Sequence, residues 1–330
     1  MLISIVIPTF NGGARIAGCL GALVEQTTGK DAEIIVVDDG STDNTADVVT
    51  CYSGVRLIRQ SNAGPAAARN RGAIEAGGAI VLFTDDDCVP APGWVAAMTG
   101  PFKDANIVGV KGVYRTRQRR LMARFVQMEY EDKYRLMSGV SQIDFIDTYS
   151  AGFRRDRFLE MNGYDTSFPV ACAEDVELSY RMSRRGWKMT FVPTAIVYHT
   201  HPETLWAYLK KKYKFAFWRV LAVWKNPQKS LSDSHTPQVM KVQLLLVPLL
   251  LLAIVCDFMT HAKIYTTLVC VAFLLSTVPF TWRTLRKDPI VGLLSPALLA
   301  ARACAQLLGI TGGLIHVFRT PANTATESHA

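Results

Sequence analysis

Three long apolar stretches towards the C-terminus constrain this chain more than any other feature. Residues 264–282 carry no charged side chain, and residues 242–258 carry only Asp257. Each approaches the roughly 20 residues that cross a bilayer as a helix. Residues 289–318 are longer and include Pro296 and Arg302, which fits one broken span or a re-entrant pair. The charge distribution points the same way. Residues 1–202 carry 22 Lys and Arg against 23 Asp and Glu, whereas residues 203–241 carry 8 against 2. The net charge of +8 therefore flanks the apolar stretches. A nucleic-acid binder would place it on the folded domain, so no nucleic-acid partner is expected. Basic residues beside spans mark the cytoplasmic side. The hinge after the second stretch holds Arg283, Arg286 and Lys287, while the turn before it holds only Lys263. The expected layout is a multi-pass protein of the plasma (inner) membrane with its N-terminal domain in the cytoplasm. Seven cysteines, an odd number with no CxxC pair, read as free thiols in a reducing compartment.

The first 202 residues alternate short apolar runs with helical spacing. Residues 3–7, 33–37, 55–58 and 79–84 read as buried strands, with helices expected over 14–25, 42–51 and 64–77. Ser41 or Thr42 is the expected cap of the second helix. This pattern predicts an α/β layer with a largely parallel sheet. Residues 115–137 read as a helix with a basic start (Arg115, Arg117, Arg119, Arg120 and Arg124). It would pack on the sheet, lie on a membrane surface or line an acceptor groove. Residues 191–199 return to a strand and 203–223 to a basic, aromatic juxtamembrane helix. The expected domains are a catalytic domain over 1–202, a juxtamembrane helix and linker over 203–241, a membrane region over 242–318, and a polar tail over 319–330. The chain opens directly on a strand-like run, so no secretory signal is expected.

Two buried strands end in acids, where ligands of parallel sheets bind. Asp85, Asp86 and Asp87 repel one another, and alternation would point Asp85 and Asp87 to one side. A Mg²⁺ or Mn²⁺ ion would relieve that repulsion and hold a diphosphate. The other strand ends in Asp38 and Asp39, followed by Gly40 and Ser41; these acids would either accept from a base and ribose or cap the next helix. Arg69 and Arg71, in Ala68-Arg69-Asn70-Arg71-Gly72, would pair with phosphate or with the acids. Glu174 and Asp175 open a helix, where an anion is stabilised and suits a general base. His199 would complete a metal's coordination or contact phosphate.

These residues together resemble the inverting family-2 glycosyltransferases with a GT-A fold. The resemblance covers residues 3–201. It rests on Ile5-Val6-Ile7-Pro8-Thr9-Phe10-Asn11, Val37-Asp38-Asp39-Gly40-Ser41, Ala68-Arg69-Asn70-Arg71-Gly72, Asp85-Asp86-Asp87, Gly163-Tyr164-Asp165 and Glu174-Asp175. It implies that Asp39 contacts the nucleotide base and that Pro8 and Thr9 line its pocket. Asp85 would lie near ribose and diphosphate, and Asp87 would hold the metal, helped by His199. Asp175 would be the catalytic base with Glu174 beside it, and the donor a nucleotide-diphosphate sugar. Membrane relatives of this layout often use lipid or polyprenyl-phosphate-type acceptors.

One departure matters. Processive synthases of the family carry Gln-x-x-Arg-Trp after the base, and the matching region here reads Ala216-Phe217-Trp218-Arg219. Transfer of one sugar is therefore expected, against two alternatives: a processive polysaccharide synthase and a catalytically silent nucleotide-binding scaffold.

Overall fold

The computed structural model describes residues 2–168, 173–229, 234 and 236–319. Cys172, part of the expected 203–241 segment and the expected tail beyond Arg319 lie outside the described residues. The described residues form two compact units. One draws on 1–119, 133–201 and 226–235, and the other on 120–132, 202–225 and the residues from 236 on.

The first unit is built on eight strands: β1 (Ile3–Thr9), β2 (Ala32–Asp38), β3 (Val55–Arg59), β4 (Ile80–Phe83), β5 (Val89–Pro90), β6 (Ile107–Arg115), β7 (Ala151–Arg154) and β8 (Lys188–Tyr198). Their order in the sheet is β3-β2-β1-β4-β7-β6-β8-β5. β1 pairs in parallel with β2 and β4, and β2 with β3. β7 runs antiparallel to both β4 and β6, whereas β6 and β8 are parallel. The sheet is thus mostly parallel, with helices connecting its strands, as the alternating pattern predicts. Ile5, Val6, Ile7, Ile35, Val36, Val37 and the whole of β4 are inaccessible to solvent, as expected of strands covered on both faces. The chain order reverses on either side of β1, so the ends of β1, β2 and β4 converge on one crevice.

The helices of this unit are α1 (Ile16–Thr27), α2 (Thr45–Thr50), α3 (Pro65–Glu75), α4 (Trp94–Thr99), the end of α5 (Leu121–Ser138), α6 (Arg155–Glu160) and α7 (Glu174–Arg184). Gly64, at φ 90°, turns the chain into α3 in a conformation that other residues adopt only under strain, and Pro65 follows at the first helical position. Gly72 lets α3 lie close on the sheet, since a Cβ there would stand 2.3 Å from Val6 Cγ1.

Three expectations need correction. The helix expected over 115–137 begins only at Leu121, because Arg115 is still paired with Tyr198 in the sheet. Ser41 and Thr42 do not cap α2. Ser41 Oγ accepts from Asn11 N (2.8 Å), and Asp43 accepts from Thr45 N (3.0 Å) instead. The strand before the acids stops at Phe83, and Cys88 N bonds to Asp85 O in a turn, so alternation does not govern where the three carboxylates point.

The second unit contains the first turns of α5, α8 (Leu205–Lys225), α9 (Gln238–Thr260), α10 (Ile264–Leu285) and α11 (Pro289–Arg319). The last three have the length and hydropathy of membrane spans. Phe258, Leu275 and Leu293 on them are 82%, 65% and 77% exposed, so these helices present bare apolar side chains of the kind a membrane would cover. α11 is one continuous helix despite Pro296, so the two-piece alternative does not hold. Met122, Phe125, Val126, Tyr208, Val291 and Leu299 form the core of this unit. Arg302 is the buried charge of the spans. Its Nη1 donates to Glu129 Oε1 (2.8 Å), while Lys212 lies 2.9 Å from Glu129 Oε2. Burial opposes ionisation of Glu129, but Lys212 and Arg302 outweigh it and hold its carboxyl down to about 2.

Candidate active site

The three consecutive acids after β4 go to three different partners. Asp86 turns into the protein and is bound twice by Arg15, at 2.8 and 3.0 Å, and by Thr9 Oγ1 at 2.6 Å. Burial pushes its carboxyl up, and the Arg15 and Thr9 hydrogen bonds pull against that. Thr9 is therefore a support for the acid turn, and Pro8 lies buried beside it in β1. Asp85 accepts from Arg69 Nη2 at 2.7 Å. Asp87 Oδ1 lies 3.2 Å from His199 Nδ1. Burial raises the Asp87 carboxyl, but the His199 hydrogen bond and charge dominate and leave it below its ordinary range.

Asp87, Cys88 and His199 bring their ligand atoms within 4.8 Å of one another. His199 is set by its stacking on Tyr114, with ring centroids 4.6 Å apart, and by its backbone bond to Arg115 O. A carboxylate oxygen and an imidazole nitrogen suit a divalent cation of the Mn²⁺ kind that keeps open positions for phosphate oxygens. Burial, then Asp85 and Asp87, hold the Cys88 thiol well above its ordinary range, so it stays protonated and is a poor ligand.

Arg69 connects the acid turn to the start of α7. It is 2% exposed, and its Nη1 donates to Glu174 Oε1 at 3.2 Å while Nη2 holds Asp85. Burial would lower its pKa, but Asp85 and Glu174 outweigh this and keep it fully charged. Asn70, the next residue, clamps Tyr164 by both backbone groups, donating to its O (2.7 Å) and accepting from its N (2.8 Å). Arg69 lies over the Tyr164 ring, 5.8 Å from its centroid. The sequence motif therefore works as a pair of neighbouring polar side chains gripping three other segments.

Glu174 is 2% exposed, whereas Asp175 is half-buried at the first turn of α7. Burial, Glu174 and Asp147 push the Asp175 carboxyl up to about 8. This is the range in which a carboxylate is a competent general base near neutral pH. Asp39 is 3% exposed and accepts from Gln60 Nε2 (2.7 Å), Ala63 N (2.9 Å) and Gly64 N (2.8 Å). In this state it fixes the turn before α3. Arg69 gathers Asp85 and Glu174, and His199 gathers Asp87; Thr9 joins the same acid turn through Asp86, whereas Asp39 has partners of its own.

Residues 4–160 match the family model for Glycosyl transferase family 2. This domain belongs to that family. Validoxylamine A glucosyltransferase of Streptomyces hygroscopicus subsp. jinggangensis is 30% identical over 57% of this chain and 53% of its own. The pre-mycofactocin glycosyltransferase of Mycobacterium tuberculosis is 26% identical over 64% and 45%. The chain thus spans about half the length of these curated relatives. A solved mannosyltransferase from Pyrobaculum calidifontis, in complex with GDP-Man and Mn²⁺, superposes with a TM-score of 0.61. It is 19% identical, over 94% of this chain and 86% of that one, and shares the GT-A fold.

Three contacts around the candidate site were not read from the sequence: Arg15 on Asp86, Asn70 on Tyr164, and the buried pair Lys111–Asp147. The signal for the last was present, since Lys111 interrupts the apolar run of β6. The others join residues 71 and 94 positions apart and leave no local pattern.

Proposed function

We propose that this chain transfers one sugar from a nucleotide-diphosphate sugar to a lipid or polyprenyl-phosphate-type acceptor at the cytoplasmic face of the plasma membrane, with inversion and with a divalent cation. The observation that carries the reading is the Arg69 bridge. One buried guanidinium ties Asp85, on the metal side, to Glu174, next to the base. Asp87 and His199 would hold a Mn²⁺ or Mg²⁺ ion, which when bound neutralises charge on the diphosphate leaving group. Asp85 would face ribose and diphosphate, and Asp39, with Pro8 and Thr9 behind it, would meet the base once the turn at Ala63 and Gly64 opens.

Asp175, as the carboxylate, takes the proton of the acceptor hydroxyl. The acceptor oxygen then bonds to the anomeric carbon from the face opposite the breaking bond to the diphosphate. A nucleoside diphosphate leaves, and the configuration inverts. The mannosyltransferase bound to GDP-Man and Mn²⁺ supports the donor class and the cation. Three span-like helices support an acceptor drawn from the membrane, and Arg117 and Arg119 stand exposed beyond β6 to meet an anionic one.

The test uses membranes containing the protein, a panel of radiolabelled nucleotide sugars, and Mn²⁺, Mg²⁺ or chelator. Cation-dependent label in the organic-extractable fraction supports the proposal and names the donor. Cation-dependent label in a water-soluble glycoside would keep the transferase and overturn the lipid acceptor; the name of the validoxylamine relative makes that second outcome concrete. No turnover of any donor would overturn the enzymatic reading.

A further inference from the structure

Near the proposed base lies a buried ion pair that the proposed reaction does not use. Lys111, in the middle of β6, is 1% exposed, and its Nζ donates to Asp147 Oδ1 and to Tyr149 Oη (3.0 Å). Nζ also lies 4.7 Å from the centre of the Tyr149 ring. Tyr134 Oη joins Tyr149 Oη at 2.9 Å and accepts from Tyr114 N at 2.8 Å. Burying a lysine and an aspartate together costs desolvation that apolar residues of the same size would avoid, so such a pair needs another reason to be present.

The position of the pair supplies one. Ser179, one turn after Asp175 on α7, is inaccessible to solvent and donates to Asp175 O at 2.6 Å. The same hydroxyl accepts from Ile146 N at 3.0 Å. Ile146 is the neighbour of Asp147, so a single side chain fixes the start of α7 against the segment that carries the acid. We infer that Asp147, held by Lys111 and positioned through Ser179, is a positioning residue that sets the pH at which Asp175 accepts the acceptor's proton. This rests on the proposed role of Asp175. The titratable and charged groups that interact with Asp175 are Glu174 on its own helix, Asp147 on the segment before β7, Arg69 on α3, Lys111 on β6 and Tyr164 ahead of α7. Lys133 on α5 acts on Asp147 in turn. Arg69 is matched by Asp85 and Glu174, which leaves Asp147 as the acid whose charge depends on the Lys111 pair.

The experiment is the pH dependence of kcat for the wild type, Asp147→Asn, Ser179→Ala and Asp175→Asn, in membranes. Asp147→Asn removes a negative charge and leaves Lys111 facing the base. Its acid limb should move down by about one pH unit, with the donor KM unchanged. Ser179→Ala changes no charge and should lower kcat without moving the limb. An unmoved limb in an active Asp147→Asn protein overturns the inference, and so does a shift to higher pH. If Asp147→Asn fails to accumulate, a Ser179→Ala protein with wild-type kcat overturns it. Activity retained in Asp175→Asn would instead overturn the assignment of the base itself.

Discussion

Asp175 is held in a state that favours its proposed chemistry over the stability of the fold. Its carboxyl sits at about 8 because burial, Glu174 and Asp147 all disfavour the anion. The folded protein therefore binds this proton more tightly than the unfolded chain does. That contribution is complete below the ordinary carboxylate range and is lost as pH rises through 8. Asp175→Asn keeps the shape and removes the loss. In the absence of donor and cation, the melting temperatures of variant and wild type should coincide near pH 4, and the variant should melt higher at pH 9. A variant less stable at pH 9 would contradict the assigned environment. His199 offers a second test at this scale. It shares its site with Asp87 at 3.2 Å, and His199→Ala should weaken Mn²⁺ binding roughly tenfold or more, measured by titration calorimetry. Unchanged Mn²⁺ affinity would remove His199 from the ligand set.

Among the elements, α3 and α11 show how closely a helix can approach its neighbour where glycine allows it, the side chain of Val6 for α3 and the backbone of α8 for α11. On α11 a Cβ at Gly309 would stand 2.3 Å from Tyr213 O, and one at Gly313 would stand 2.4 Å from Phe217 O on α8. Small residues four apart let the two helices touch where packing, rather than the hydrophobic effect, drives association. Gly313→Leu should cost about 1–3 kcal/mol and lower the melting temperature in detergent; an unchanged melting temperature would mean that α8 leaves that face of α11. The strands β1, β2 and β4 were legible in the sequence because buried parallel strands are short continuous apolar runs bounded by turns. The short β5 and β7 were not, since four residues or fewer leave no period to read. The start of α5 was misplaced because an arginine-rich segment looks the same as a strand end, a loop or a helix surface. In the site, the placement of the acids after β4 and at the start of α7 was legible from the apolar runs and the helix start. The direction in which each acid turns was not, because it depends on Arg15, Arg69 and His199, which reach it from distant parts of the chain.

Over the whole molecule, three spans place the two ends of the membrane region on opposite sides if each crosses once. The turn at Lys263 carries one basic residue, and the hinge after α10 carries Arg286 and Lys287. The proposed orientation, drawn from the positive-inside bias, would put that hinge on the cytoplasmic side. In intact cells, Lys263→Cys should react with a membrane-impermeant maleimide above the background of the native thiols, whereas Arg286→Cys should react only after permeabilisation. The reverse pattern would overturn the orientation. The central claim is that donor binding and proton abstraction reside in separate side chains, with Arg69 tying Asp85 to Glu174, the neighbour of Asp175. The most direct measurement pairs cation-dependent donor binding with transfer for Asp175→Asn. Binding equal to that of the wild type, with transfer abolished, is the result this account predicts. Loss of both, or transfer at the wild-type rate, would contradict it.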